Sequence, residues 1–353
     1  MTNNSHRPVR LPAEWEPQGA VLIAWPHNGT DWAYMLPEVE KCYIEMTGAI
    51  SRHATVIIAA PDTSRARMLL DGKTGPNPVL FFDTPTNDTW TRDYGVITTI
   101  DSKGHPVLND FGFNAWGGKF ESALDNGVTG RMVTAGLLRG KYIDHNNFIL
   151  EGGSIESDGQ GTLMVTDECL LTPTRNPSMS RADIEAYLKK SLGVDHILWI
   201  AHGGIIGDDT DGHIDTLARF APDDVIVVAG RHTDPDIDDP DQQHMLEEML
   251  ADVKALRTAD GRPYTIIELP MPDPIYDEDG SRLPATYANY LILNNTIIMP
   301  TYGQPRNDAL AAGMMLIAYP GYEIERVDCR ALIRQHGSLH CATMQLPHQV
   351  LPI

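Results

Sequence analysis

The alternation of apolar and polar positions divides the chain into short strands and longer amphipathic stretches that recur in a fixed order: hairpin, helix, strand. The clearest copy runs from Asn147 to Ile200. Its hairpin reads Phe148-Ile-Leu-Glu-Gly-Gly-Ser-Ile, then Thr162-Leu-Met-Val-Thr and Cys169-Leu-Leu, with turn chemistry in Asp158-Gly-Gln-Gly161. A helix is expected from Ser180, an N-cap with Asp183 three residues on, to Leu192, where Gly193 supplies the stop. The strand Ile197-Leu-Trp-Ile200 closes the unit.

The order repeats downstream. A hairpin from His213 to Val228, turning at Pro222-Asp-Asp, precedes a helix from Asp241 to Leu256 and a strand at Tyr264 to Leu269. Another hairpin, Tyr290-Leu-Ile-Leu and Ile297-Ile-Met about Asn294-Asn295, precedes a helix from Asn307 to Ala318 and a strand near Tyr322. Upstream, Val96 to Ile100 and Pro106 to Leu108 flank Ser102-Lys-Gly104, with a helix expected from Glu121 to Leu138. A fifth unit requires joining both chain ends: Val21 to Ala24, the helix Pro37 to Ser51 and the strand Thr55 to Ile58, completed by a strand at Leu339 to Leu346. Five such units around an axis would deliver side chains to one central site within a single domain spanning 1–353. A layered α/β fold with uneven βα units is the competing reading.

Composition narrows the function classes. The chain has 353 residues, 42% hydrophobic and 21% charged, as in a globular protein rather than a disordered one. Four widely spaced cysteines, Cys42, Cys169, Cys329 and Cys341, form neither a disulfide framework nor a zinc-knuckle spacing, which suits a reducing compartment. No apolar run approaches the roughly 20 residues of a membrane span. The start, Met1-Thr-Asn-Asn-Ser-His-Arg7, has no apolar signal core, so a cytoplasmic location is expected. A formal charge of -21 opposes nucleic-acid binding and fits a small cationic substrate, although acidity also serves solubility alone. Self-association is left open.

Polar clusters stand at matching places near the first strand of a unit: Asn87 to Asp93, Glu151-Gly-Gly, Asp208 to Asp215, and His340-Cys341. On an extended strand His213 and Asp215 share a face, as an acid/base pair or as a structural one. A metal reading that adds His202 finds no third and fourth ligand at familiar spacing, and the acidic run around Gly212 fails as a calcium loop because its twelfth position is Ala218. Asp93 reads as a catalytic carboxylate or as half of a local ion pair. Glu151, after Phe148-Ile-Leu, is a costly place for a charge unless it has a partner or serves as a cap. The acidic loop Asp234 to Asp241 reads as a solvated helix entrance. Cys42, Cys169 and Cys329 sit in apolar patterns as small hydrophobes, whereas Cys341 is flanked by His340, Thr343 and Gln345. Carboxylates raise a thiol's pKa, so this company suits a planar cationic electrophile such as a guanidinium better than a peptide bond.

The chain resembles the agmatine deiminases and Porphyromonas-type peptidylarginine deiminases of the guanidine-modifying, or pentein, superfamily. The resemblance is carried by Glu14-Trp-Glu-Pro-Gln18, Asn87-Asp-Thr-Trp-Thr-Arg-Asp93, Phe113-Asn-Ala-Trp-Gly-Gly118, Leu150-Glu-Gly-Gly-Ser154, Asp211-Gly-His-Ile-Asp215, Tyr290-Leu-Ile-Leu-Asn294 and Leu339-His-Cys-Ala-Thr-Met-Gln345. It implies a five-bladed α/β propeller of ββαβ repeats with pseudo-fivefold symmetry. It implies Cys341 as nucleophile, His213 as general acid/base, Asp93 and Asp215 as the carboxylates gripping a guanidinium, and Glu151 as the remaining catalytic residue. Trp90, Asp211 and Asn289 would bind substrate, Trp90 fitting a core role equally well. No cofactor and no metal are implied. The stretch His27-Asn-Gly-Thr-Asp-Trp32 departs from the family's usual Glu-Arg-Pro-Asp-Asn-Trp-Arg, and Ser338-Leu339 replaces asparagine-isoleucine, which keeps agmatine, arginine and peptidyl arginine in view with agmatine favoured. An amidinotransferase, a guanidine-binding protein and a metallohydrolase are the other classes.

Overall fold

Hairpins with tight turns and helices of three to four turns set the architecture. In the most regular copy, Leu291–Leu293 runs antiparallel to Thr296–Thr301, and the helix Pro305–Ala318 returns the chain to the parallel strand Glu323–Asp328. Asn294 and Asn295 make the two-residue turn with φ of 48° and 65°, the left-handed pair such a hairpin needs. This computed structural model describes residues 8–352. The segment 1–7, read above as lacking a signal core, and Ile353 lie outside the described residues.

The described residues form a mixed α/β fold with five sheets, each built on an antiparallel pair followed by a parallel strand. Ala218–Ala221 and Val225–Ala229 are joined by the helix Pro240–Ala255 to Thr265–Leu269. Glu156–Ser157 and Thr162–Thr166 are joined by the helix Arg181–Leu192 to His196–Ile200. Ile97–Asp101 and Pro106–Gly112 pair with Lys141–Ile149, and Val9–Arg10 adds an edge strand. The two chain ends meet in the last sheet, where Met344–Pro347 runs antiparallel to Gln18–Ala24, followed in parallel by Thr55–Ala60 and Val79–Asp83. Parallel neighbours need a covering crossover, so the strands are apolar on both faces: Val21, Ile23, Ile57, Ile58, Ile297 and Ile298 are all buried.

The helix Arg181–Leu192 has the capping box expected of Ser180 and Asp183, and Gly193 ends it at φ 69°. A Cβ on Gly193 would run into the carbonyl of Val9, so both backbone conformation and close approach require glycine. No helix of the described residues is long and apolar enough to cross a membrane.

Four expectations change. Phe148 and Ile149 end the strand Lys141–Ile149, and the next hairpin starts only at Glu156, because Gly152–Ser154 turns as a 3-10 helix in between. Cys169-Leu-Leu lies at the helix Asp167–Leu170, where the Thr166 hydroxyl accepts from the Cys169 N–H. His213 and Asp215 do not share a strand. Asp211 and Gly212 are left-handed at φ 65° and 77°, and Ile214–Thr216 is a 3-10 turn held by the Thr216 hydroxyl on His213 O, with the strand delayed to Ala218. The helix expected from Glu121 to Leu138 breaks at Gly127 into Ala123–Asn126 and Val128–Thr134, as the Asn126 side chain turns to accept from Phe113 N.

Candidate active site

Each sheet contributes a polar segment just before its first antiparallel strand. The helix Thr91–Tyr94 precedes Ile97–Asp101, the turn Gly152–Ser154 precedes Glu156–Ser157, and the turn Ile214–Thr216 precedes Ala218–Ala221. Asn289 precedes Leu291–Leu293, and Cys341 precedes Met344–Pro347. Backbone and side-chain bonds pull these segments together. Arg92 N donates to Cys341 O at 3.1 Å, and the Thr91 hydroxyl reaches the carbonyls of Leu22 and Ala342, each at 3.0 Å.

Asn289 organises the thiol. Its Oδ1 accepts from the backbone N–H of both His340 (2.9 Å) and Cys341 (3.2 Å), while its Nδ2 lies 3.2 Å from Cys341 Sγ. The Sγ is 3.7 Å from Asp215 Oδ2. Cys341 is 4% exposed and lines a cavity of 310 Å³ together with Asp93, Trp90 and Trp116. Burial, reinforced by Asp215 and Asp93, pushes the thiol well above its ordinary range, so the resting group is a neutral thiol.

The acidic wall is closely defined. Asp93 accepts from Gly153 N (3.0 Å) on one oxygen and from Trp116 Nε1 (2.9 Å) on the other. Its Oδ1 is 3.6 Å from His213 Nδ1. Burial pushes the Asp93 carboxyl up to about 6, with Asp215 and Glu151 adding to the rise and His213 opposing it. Burial also raises Asp215, but His340 at 2.8 Å and the charges of His213 and Arg219 bring it below its usual range. Burial lowers His213, yet Asp93, Cys169 and Glu151 hold the imidazole well above its usual range, in its acid form. Both ring nitrogens of His213 and Oδ1 of Asp215 have no hydrogen-bond partner among the described residues, unusual for groups so deeply buried. A Cβ placed on Gly153 would meet His213 Nδ1 at 2.7 Å, Asp93 Oδ1 at 2.8 Å and Asp215 Oδ2 at 3.1 Å. Three catalytic candidates therefore converge on one bare α-carbon.

Glu151 is fully buried with Arg175 Nε at 3.1 Å, and Arg175 also reaches Asp211 and Thr210 O. Of the expected site residues Cys341, Asp93 and Trp90 line the cavity, His213, Asp215, Glu151 and Asp211 lie outside its lining, and the Asp211 carboxylate is taken by Arg175 and Lys119. Asn289 faces the thiol rather than the cavity, and Trp90 lines the cavity while packing on Trp32 with ring centroids 5.7 Å apart. His202, the third member of the metal reading, bonds Asp252 instead. Glu151, Cys169 and His213 do bring ligand atoms within 4.8 Å of one another. Arg175 already supplies that carboxylate with a cation, so the set fits a buried acid–base cluster better than a divalent ion. Cys169, read as a small hydrophobe, thus sits beside His213, and Trp116 and Arg175 join the site. The Phe113-Asn-Ala-Trp-Gly-Gly118 glycines and the turn-rich Thr172-Pro-Thr-Arg-Asn-Pro177 were the only local signals for the last two.

Towards the mouth, Asp31, Asp88 and Asp209 line the cavity with Arg334. Burial pushes the Asp88 carboxyl up to about 7, with Asp31 adding to the rise, and also raises Asp209. Arg334 is engaged with Asp277 at 2.8 Å.

The family profile of Porphyromonas-type peptidyl-arginine deiminase matches residues 10–347. A Marinomonas sp. protein provisionally named an agmatine deiminase is 35% identical, the match covering 96% of this chain and 95% of that protein. A Porphyromonas gingivalis structure provisionally named an arginine deiminase is 45% identical, covers 98% of this chain and 99% of its own, and superposes with a TM-score of 0.88. The cysteine-to-serine variant of the C. jejuni agmatine deiminase with substrate bound is 36% identical, covers 96% of both chains and has a TM-score of 0.86.

Proposed function

The chain belongs to the Porphyromonas-type peptidyl-arginine deiminase family, and on that premise we propose that it hydrolyses the guanidine of agmatine to N-carbamoylputrescine and ammonia. The observation that carries this reading is the convergence of Asp93, His213 and Asp215 about the α-carbon of Gly153, with Cys341 Sγ 3.7 Å from Asp215 Oδ2 and Cys341 and Asp93 lining the cavity. Two carboxylates at that depth match a planar cation, and the unpartnered Asp215 Oδ1 is a free acceptor for one of its N–H groups.

The resting thiol is neutral because it is buried, and its anionic neighbours Asp215 and Asp93 reinforce that. A bound guanidinium places a positive charge beside it and offsets the carboxylates, so the thiol releases its proton to solvent through the cavity and regains one from the protonated ureido product at the end of the cycle. The thiolate attacks the guanidinium carbon, His213 in its acid form protonates the leaving nitrogen, and the C–N bond breaks to release ammonia. The covalent thiouronium is then attacked by water, which gives its proton to His213 as the C–S bond breaks and the ureido product leaves. Every step uses groups already at hand.

Agmatine is favoured by the mouth. Asp31, Asp88 and Asp209 suit the primary ammonium at the far end of that substrate, whereas the α-carboxylate of arginine would face three acids. Arg334 supports the second reading, arginine or a C-terminal peptidyl arginine, but Asp277 and Glu278 already neutralise it. The five sheets, each entering the site by the same position, support a five-bladed propeller with pseudo-fivefold symmetry, in which 8–352 act as one catalytic domain. Incubating agmatine, arginine and a C-terminal-arginine peptide separately and assaying ureido product tests the substrate. Turnover of the peptide alone would move the reading to a protein-arginine deiminase.

A further inference from the structure

The motif Glu14-Trp-Glu-Pro-Gln18 has no part in the chemistry above, yet Glu14 lies directly behind it. His340 Nδ1 is 2.8 Å from Asp215 Oδ2, and His340 Nε2 is 2.8 Å from Glu14 Oε1. His340 is buried, and the Glu14 side chain is 17% exposed, facing away from the substrate cavity into a separate small pocket beside Gln18, Arg92 and Gln345. Glu14 is held from four sides, by Arg219 Nη2 at 2.5 Å, Arg92 Nη1 at 3.1 Å, Gln345 Nε2 at 2.9 Å and the imidazole itself. Glu156 completes the cluster through Arg219 Nε at 2.9 Å.

The proton on Nδ1 follows from this arrangement. Asp215 is ionised and can only accept, so the 2.8 Å contact requires a hydrogen on Nδ1 whether the ring is neutral or charged. Burial, with Arg219 Nη2 at 3.1 Å from Nε2 and Arg92 Nε at 3.5 Å from the His340 carbonyl, favours the neutral ring, and Glu14 pulls the other way. The ring is fixed in either case: neutral, Nε2 accepts from Arg219 Nη2, which Glu14 itself holds, and charged, Nε2–H donates to Glu14.

We infer that His340 is a positioning residue for Asp215, donating Nδ1–H to set the rotamer and charge of that carboxylate while Glu14 anchors the opposite side of the ring. The inference rests on the guanidine-deiminase reading. A donor on Asp215 favours its ionised form, so losing that donor raises the Asp215 pKa and weakens the grip on guanidinium at low pH first.

Asparagine and glutamine separate the two halves of the ring, since the asparagine amide nitrogen overlays Nδ1 and that of glutamine overlays Nε2. The experiment measures kcat, KM and the pH profile of kcat/KM for agmatine in wild type, His340→Asn, His340→Gln and Glu14→Gln, with melting temperatures alongside. His340→Asn should keep KM within about twofold, and His340→Gln should raise it about tenfold or more, with the acid limb, which Asp93 alone sets in the wild type, steeper and moved to higher pH as the Asp215 titration joins it. Glu14→Gln should move the limb in the same direction by less. If both His340 variants share one KM and one pH profile, or the glutamine variant keeps the wild-type profile, the positioning role is overturned. If either His340 variant fails to fold, an unmoved limb in Glu14→Gln overturns it. A wild type that deiminates no guanidine overturns the functional reading as well, which distinguishes the two failures.

Discussion

Trp116 Nε1 donates to Asp93 Oδ2 at 2.9 Å from a backbone held in the left-handed region, at φ 54°, next to Ala115 at φ 51°. Such non-glycine conformations cost about 1–3 kcal/mol each and persist where their surroundings over-determine them. Here the Asn114 side chain accepts from Gly117 N and donates to Thr174 O, fixing the bend that aims the indole. Trp116→Phe keeps the ring and removes the donor. It should lower kcat/KM for agmatine about tenfold with little change in melting temperature.

Asp93 sets a pH limit. Burial and two neighbouring carboxylates raise its carboxyl to about 6, so it is ionised above that pH and protonated below. Gripping a guanidinium requires the ionised form, so kcat/KM should fall as pH drops through about 6. An acid limb that stays near pH 4, the ordinary range of an aspartate, would rule Asp93 out as the titrating group.

Gly153→Ala should abolish turnover by a factor of about 100 or more, because the added methyl occupies the point on which His213, Asp93 and Asp215 converge. A steady-state assay paired with a melting curve separates this from unfolding.

The mouth acids should act on the tail of the substrate rather than on its guanidine. Asp88→Asn and Asp209→Asn should each raise KM for agmatine by about fivefold and leave KM for butylguanidine, which lacks the terminal ammonium, within about twofold. Equal effects on both guanidines would remove these residues from tail recognition.

The repeat was legible where it depends on local chemistry. The Asn294-Asn295 turn, the Ser180 cap and the Gly193 stop each follow from what those residues can do over a few positions. The turn holding His213 and Asp215 was not, because apolar Ile214 and Leu217 mimic strand alternation while the left-handed Asp211-Gly212 redirects the chain. Four of the five segments preceding the first strands were visible as polar clusters, and Cys341, His213, Asp93 and Asp215 come together from them; the fifth, at Asn289, is a single polar residue in an apolar run and formed no cluster. Arg175, Cys169 and Trp116 escaped because their places depend on contacts distant in sequence: Arg175 with Glu151, Cys169 with His213, and Trp116 with Asp93. The pairing of the Asp211 carboxylate with Arg175 was equally hidden, since the run Asp208 to Asp215 does not disclose that partner.

The central claim is that the Cys341 thiol attacks a guanidine carbon. Wild type and Cys341→Ala are each incubated with agmatine while ammonia and N-carbamoylputrescine are measured. Wild type should release the two in equal amounts, and Cys341→Ala, folded by its melting curve, should release neither. Equal turnover by the two proteins would contradict the account.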